Sequence, residues 1–511
     1  MTNFLDDYVP RRVTLTLPEG LALRGLHLGQ GNLGLEVLVL DAATEPKVTA
    51  LRQVWKDRLG GRAAPLLAIA LRGDTAIICG PSGEDPSIRY IEAKQAERLC
   101  VGALGEPDRN AALRFLHDAL PSLETELPGV RIEGLLSNHE LARGARLRND
   151  WAAAQTRAAP VLGATGMDLL RRLGFGIEKA DGVTSLLRTG SRDRAVAVLL
   201  DAGETPEGAA PRFQNLSPVS WALAMADQRN LPWVVVVHGD RVRLYSVELG
   251  VGVGRRGRTE TWIELRTGLM RQDQAALLWL IFSADALKPS GTLQELLDNS
   301  KRFAVDLADR LRERIYDRVI PGLATGIARA RGLKTFSAED LRLTYSMALT
   351  VLFRLLFIAY AEDRDLLPFS GNNAYRRRAL KTKAQELATN TAAPGTGAHL
   401  WQEVTRLFDA VRGGDAALGV PAYGGGLFET DPAISKPGAA LARIALPDTV
   451  FEPVLQGLLL DQPKDLAAVP AGPVDFRSLR VREFGTIYEG LLVPPAVDET
   501  PSGSRRGHCR R

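Results

Sequence analysis

A chain of 511 residues, 45% hydrophobic and 24% charged, is long enough for about three to four domains with cores of their own. Its formal net charge of +4 is small for that length, which excludes a polycation that binds nucleic acid over its whole surface and leaves room only for local basic patches. The three cysteines, Cys79, Cys100 and Cys509, have neither the number nor the spacing of a disulfide framework or a zinc site.

That cysteine usage fits a reducing compartment, so a cytoplasmic location is expected. The N-terminal MTNFLDDYVP lacks the basic-then-apolar order of a signal peptide, and charges such as Asp285 and Arg354 interrupt the longest apolar runs. No membrane segment is expected.

Residues 1–150 alternate β-rich runs (Arg12–Leu17, Leu35–Leu40, Leu66–Leu71, Thr75–Cys79) with helical patterns over Val48–Leu59 and Asn110–Leu120, which predicts an α/β N-terminal domain. The stretch Gly29–Gly34, GQGNLG, has the spacing of a dinucleotide fingerprint. LEVLVL follows it directly and reads as a strand rather than a helix, so the spacing predicts a glycine-rich hairpin. A second α/β unit is expected over 151–270. It has a helix near Gly166–Leu173, strands over Val183–Leu187 and Ala195–Leu200, a helix over Val219–Arg229, then strands Trp233–Val237 and Val242–Val247 joined by an HGDRV turn.

From Gln272 the apolar period lengthens from two to nearly four. Helices are expected at about 272–287, 291–315, 337–364, 374–388 and 398–411, giving a helical domain over 271–412. Ser337 with Asp340 has the form of a capping box. The helix it opens is apolar nearly all round between Met347 and Tyr360, so it belongs inside a bundle, and Arg354 within it needs a carboxylate or carbonyl partner. Asn390–Gly397 and the glycine-rich Tyr423–Phe428, YGGGLF, mark loops. A connector is expected over 413–492, and a Pro-, Ser- and Arg-rich tail over 493–511 without apolar periodicity is expected to be disordered.

The 151–270 unit resembles the restriction-endonuclease-like fold in its strand order and in its closing LPWVVVVHGDRVRLYS. Active members of that fold hold magnesium with acidic residues and an E-x-K pair on adjacent strands. Here the matching run is AVAVLLDAGE: Asp201 takes the acidic place, Gly203 stands where the lysine belongs, and Asp181 is the candidate third ligand with Glu204 beside it. The resemblance therefore implies a degenerate, inactive nuclease unit. Directly after it, Arg255, Arg256 and Arg258 in GVGRRGRTE are candidate phosphate contacts, since glycines let the backbone approach and guanidiniums bridge oxygens. Arg312, Arg314 and Arg318 interleave with Asp309, Glu313 and Asp317 as an ion-paired helix surface, and Arg376–Arg378 read either as such a surface or as a basic patch.

At the C-terminal end, Phe484, Ile487, Tyr488, Leu491 and Leu492 recur at helical spacing and make one apolar face. Three stretches in this order, LTYSMALTVLFRLLFIAYAEDRDLLP (Leu343–Pro368), YGGGLF and VDFRSLRVREFGTIYEGLL (Val474–Leu492), resemble the helical region of type IIG restriction-modification enzymes and related phage-defence adenine-specific DNA methyltransferases. The resemblance covers 272–492 well and the first 270 residues loosely. It implies methyl transfer from S-adenosylmethionine to adenine in double-stranded DNA, with the cofactor site and the catalytic loop lying beyond residue 492. No catalytic residue and no cofactor site is expected within this chain. Val493-Pro494-Pro495-Ala496 lacks the polar and aromatic residues of a methylation loop. The implied role is DNA or partner binding as the front portion of such an enzyme. The alternatives are a non-catalytic subunit docking on a separately encoded methyltransferase or other defence-system proteins, and a magnesium-dependent nuclease using Asp181, Asp201 and Glu204.

Overall fold

A computed structural model describes residues 4–491 apart from 61, 82–85, 124, 202, 254–256, 336, 370–371, 391–392, 462–471, 480–484, 486–488 and 490. The N-terminal unit is a mixed five-stranded sheet in the order β1 (Leu21–Leu28), β2 (Glu36–Ala42), β3 (Leu66–Arg72), β4 (Thr75–Cys79), β5 (Ile88–Glu92), with β2 and β3 the parallel pair. Helix α1 (Val48–Leu59) covers one face, and α2 (Ala93–Leu104) and α3 (Arg109–Ser122) cover the other. Strand β3 is apolar from Leu66 to Leu71, where both faces are buried, and only its last residue, Arg72, is exposed. The GQGNLG run is the turn of the β1–β2 hairpin, closed by the Gly29 N–H donating to the Leu35 carbonyl at 2.7 Å. Arg12–Leu17, expected as a strand, contributes only the flanking bridge from Arg11 to Leu26.

The second unit is a seven-stranded sheet in the order β6 (Val130–Glu133), β12 (Trp262–Arg266), β11 (Arg241–Ser246), β10 (Trp233–His238), β9 (Arg192–Leu199), β8 (Thr184–Thr189), β7 (Gly176–Lys179). Along the chain it runs α4 (Trp151–Ala158), α5 (Gly166–Arg172), three antiparallel strands β7–β9, α6 (Pro218–Gln228), then β10 parallel to β9. Alternate residues of β10 face opposite ways, Val235 and Val237 into the core shared with α5 and α7 (Ala276–Phe282), Val234 and Val236 into the core under α6. The division expected at residue 150 cuts through this unit. Strand β6 adds to its edge, and Leu127–Ala145 supplies apolar side chains to its core. Likewise the boundary expected at 270 falls short of the end of this unit: α7 and, from α8 (Thr292–Arg314), Leu293, Leu296 and Leu297 pack on the sheet, while Leu307 and Leu311 of α8 enter the helical core.

The remaining core is helical: α9 (Ile320–Ala330), α10 (Ala338–Asp363), α11 (Asn373–Arg376), α12 (Leu380–Thr389), α13 (His399–Gly413), α14 (Lys436–Leu441) and α15 (Asp448–Leu459), with a short ladder between β13 (Leu460–Asp461) and β14 (Gly472–Pro473). Helix α10 is the rod of this bundle. It begins with the capping box of Ser337 and Asp340 and is long and apolar enough to cross a bilayer, but Met347, Val351, Leu355 and Ile358 are all buried within the protein. Helices α9 and α15 lie close because a Cβ on Gly326 would collide with Val450, and one on Gly322 would sit 3.2 Å from Val454.

Candidate functional site

The register of the sheet brings the acidic candidates of the nuclease-like unit to one end. Thr184 of β8 pairs with Val198 of β9, so Asp181, three residues before the first, and Asp201, three after the second, leave adjacent strands at the same edge. Their surroundings differ from those of a metal site. The Asp181 carboxylate accepts from the Val183 and Thr184 backbone N–H groups at 2.8 and 2.7 Å and so caps the entry into β8. Asp201 is mainly exposed, and its backbone N–H donates to Glu204 at 2.9 Å. Arg212 reaches in between: Nε donates to Glu204 Oε1 at 2.7 Å, Nη2 donates to Glu204 Oε2, and Nε lies 3.6 Å from Asp201. Hydrogen bonds from Arg212 hold the Glu204 carboxyl below the usual carboxylate range. A guanidinium thus occupies the space between the carboxylates. Among the described residues no three His, Cys, Asp or Glu side chains converge as a metal site.

The basic run after this unit divides. Arg258 donates to Asp227 at 2.6 Å and to the Val247 carbonyl at 3.1 Å, so its charge is neutralised within the protein. Arg255 and Arg256 lie outside the described residues. On α8, Arg312 pairs with Asp309 on the surface as expected, but Arg314 turns inward and, with Arg310, grips the buried Asp461 at 2.7 and 2.8 Å.

The three stretches that carry the resemblance meet along α10, although they are far apart in sequence. In its middle, Arg354 is 4% exposed. Its Nε donates to the Leu427 carbonyl at 2.8 Å and its Nη2 to the Glu429 carbonyl at 3.1 Å, while its guanidinium lies over the Phe408 and Phe428 rings. It therefore fixes the base of the YGGGLF turn from beneath, and burial lowers its pKa to about 10. The other base is held by Tyr423, whose hydroxyl donates to the Leu366 carbonyl at 2.5 Å.

At the C-terminal end of α10, Glu362 is buried and accepts from Tyr375 Oη at 2.9 Å and from the Leu380 and Lys381 N–H groups at 2.9 and 2.8 Å, which satisfies the first turn of α12. Burial pushes its carboxyl up to about 7 in spite of those donors. Asp363 accepts from Lys381 Nζ at 2.7 Å and from the Phe476 N–H at 2.8 Å. Arg477 completes a clasp: Nε donates to the Asp363 carbonyl and Nη1 donates to the Ile132 carbonyl of β6 at 3.3 Å, while Nη2 lies 3.6 Å from Asp365. The Asn138 N–H donates to Asp475 at 3.2 Å. The VDFRS segment thereby ties the helical bundle to the seven-stranded sheet. Nearer the start of α10, Tyr345 Oη donates to the Leu491 carbonyl at 2.8 Å, and Leu491 is buried in the bundle core. Phe484, Ile487, Tyr488 and Leu492 of the expected apolar face, and the tail 493–511, lie outside the described residues.

Sequence reasoning missed Arg212, Glu362, Asp363 and Arg477. The run EDRD at the end of a buried helix was the available signal, because two adjacent acids there need donors from other segments. A hollow on the bundle, of ≈ 270 Å³, is lined by acids that already have partners: Asp448 accepts from the His399 and Leu400 N–H groups, and Glu386 and Glu403 hold Lys383. Comparison with protein-family models, with curated proteins and with solved structures found no match to this chain.

Proposed function

We propose that this chain is the DNA-holding front portion of a cytoplasmic, adenine-specific, S-adenosylmethionine-dependent DNA methyltransferase of the restriction-modification and phage-defence kind. The observation that carries this reading is the meeting of three sequence-distant stretches on one helix. Leu343–Pro368, YGGGLF and the segment from Val474 are joined to one another through Arg354, Asp363 and Tyr345. A motif trio that resembles a connector thus forms a physical connector, with Val474–Leu479 and Leu491 bound along the rod that precedes them. The order of α5, β7–β9, α6 and β10, with β9 and β10 parallel, supports the further reading of 151–270 as a restriction-endonuclease-like unit. The guanidinium of Arg212 between its carboxylates favours a binding role for that unit over cleavage.

On this reading the methyl transfer belongs to sequence following Leu492, and the present residues orient DNA and the catalytic part relative to one another. The test is methyl transfer from labelled S-adenosylmethionine to unmethylated genomic DNA, with the chain alone and with the coding sequence that follows it supplied in cis or in trans. No transfer by the chain alone and transfer on reconstitution are expected. Transfer by the isolated chain, or a downstream sequence without cofactor-binding and adenine-methylation motifs, overturns the proposal. A complete, separately encoded methyltransferase that co-purifies with the chain would make it a non-catalytic subunit instead.

A further inference from the structure

One aromatic stack spans the boundary between the sheet unit and the helical bundle. Leu136, Leu141 and Ala142 belong to the core of the sheet unit, and His139 stands between them at the entry to a wide, π-type turn, Glu140–Gly144. Its imidazole lies flat on the ring of Phe303 of α8, with centroids 3.9 Å apart and 3° between the planes, and Phe303 packs against the helical core. The same stretch is pinned to α8 beside the stack: the Ser137 N–H donates to Ser300 Oγ at 3.1 Å, and Asn299 Nδ2 donates to Glu140 at 2.9 Å. Between these pins the Asn138 N–H donates to Asp475 at 3.2 Å, so the turn also holds the VDFRS segment.

Both ring nitrogens of His139 are shut off from solvent, and neither has a hydrogen-bond partner among the described residues. A neutral imidazole already forgoes a donor and an acceptor there, and an imidazolium would bury two unpaired N–H donors together with a charge. The charged groups around the ring do not offset this. Arg143 on its own turn and Arg310 on α8 repel a positive ring, while Asp461 of β13 and Asp475 attract it. Both carboxylates are committed elsewhere: Asp461 to Arg310 and Arg314, Asp475 to the Asn138 and Arg477 N–H groups and the Ser478 hydroxyl. The Phe303 ring attracts cations, but the Arg310 guanidinium already lies 5.7 Å from its centre. Burial first, and Arg143 next, hold the imidazole below its ordinary value of 6.5.

We infer that His139 makes the joint between the sheet unit and the helical bundle acid-sensitive: a proton on its ring drives the ring off Phe303 and loosens the 137–144 turn from α8 and from the 474–479 segment. The sign follows from linkage. In the closed joint the ring binds a proton less readily than in the open one, so the joint is fully closed above the ordinary imidazole value and loosens as pH falls below it. Glu362 acts in the opposite sense inside the bundle, because its raised carboxyl favours the folded form at lower pH. The joint and the bundle interior therefore respond to acid in opposite directions, and the joint does so whether or not the chain serves a methyltransferase.

The experiment is hydrogen exchange of the full chain at about pH 7 and about pH 5.5, corrected for the intrinsic pH dependence of exchange. Protection of the Asn138 and Phe476 amides should fall roughly three- to eightfold at the lower pH, while that of the buried middle of α10 should not fall. His139→Phe keeps a flat ring for Phe303 but cannot ionise, and it should show the same protection at both pH values. His139→Gln, which has neither the stack nor the titration, should be looser at both and equally independent of pH, and it serves if the phenylalanine variant does not fold. A carbon-13 histidine titration of the parent chain, with the His139 signal assigned by its loss in either variant, should find this ring titrating below the ordinary imidazole value. Equal protection of the joint at both pH values in the parent chain, a pH dependence that persists in a folded variant, or a His139 ring that titrates at or above the ordinary value overturns the inference.

Discussion

Two places in this protein gather carboxylates at the end of a secondary-structure element, and they do opposite things with them. At the edge of the seven-stranded sheet, Asp201 is exposed and Glu204 is satisfied by Arg212, a side chain from its own loop. At the end of α10, Glu362 and Asp363 are buried, and their donors come from α11, α12 and the segment around Phe476. Acidity alone distinguishes neither place. Burial and the origin of the donors do: two buried carboxylates that between them bond three other segments are architecture, because no water can replace a donor that is withdrawn.

The sharpest test of this contrast is Glu362→Ala. It strands the Tyr375 hydroxyl and two N–H groups at the start of α12, and the stranded donors and the cavity together should lower the stability of the helical bundle by about 3–5 kcal/mol. Calorimetry should show the loss. Glu362 also predicts a pH dependence. Its folded pKa, about 7, lies above the ordinary carboxyl value, so between pH 4.5 and 7 the folded state binds more protons than the unfolded state. Stability should therefore fall as pH rises through that window, by an amount on the order of 3 kcal/mol, and Glu362→Gln should flatten the dependence. A profile that rises through the same range in the parent chain would show that the carboxyl is not the group titrating.

A step smaller is Arg354→Ala, which leaves the Leu427 and Glu429 carbonyls without their donor and removes volume from between Phe408 and Phe428. A loss of about 2–3 kcal/mol is expected, and Arg354→Met, which keeps the volume but not the donors, should recover part of it. Equal losses from both variants would mean that hydrogen bonding, not packing, fixes the turn. Arg477→Ala should cost the bundle less, but it opens the clasp between the bundle and β6. Calorimetry should then resolve the sheet unit and the bundle as separate transitions.

How far these sites could be read in advance follows from how local their causes are. The capping box of α10, the GQGNLG hairpin and the need of Arg354 for a partner were legible because each depends on residues a few positions apart. The partner itself was not, since the carbonyls of Leu427 and Glu429 come from more than 70 residues away. Helix α9 was missed because IPGLATGIARA reads as a breaker. Its proline sits in the first turn, where no N–H is needed, and its glycines allow close approach to Val450 and Val454. Helix α15 carries Pro453 inside it, and β12 hides behind Glu264 and Arg266, charges buried on the sheet face where Arg243 pairs with Glu264 at 2.8 Å. The arginines of the 255–258 run, read as phosphate contacts by composition, include one whose charge an aspartate 31 residues earlier already answers.

The smallest effects test the other half of the contrast, at the sheet edge. Asp181→Ala removes the acceptor for the Val183 and Thr184 N–H groups and should cost about 1 kcal/mol, the worth of a turn cap. Asp201→Ala should stay within about 0.5 kcal/mol of the parent chain, because an exposed carboxylate 3.6 Å from a guanidinium that Glu204 already holds has little to lose. Neither substitution should change anything measured with supercoiled plasmid in magnesium or manganese, since the parent chain is expected to leave the plasmid intact. Cleavage by the parent chain that disappears in Asp201→Ala would reverse the comparison. It would mean that Arg212 moves aside when DNA and metal arrive, so that the loose, exposed carboxylates are the working ones and the low stability of their arrangement is what allows the site to form.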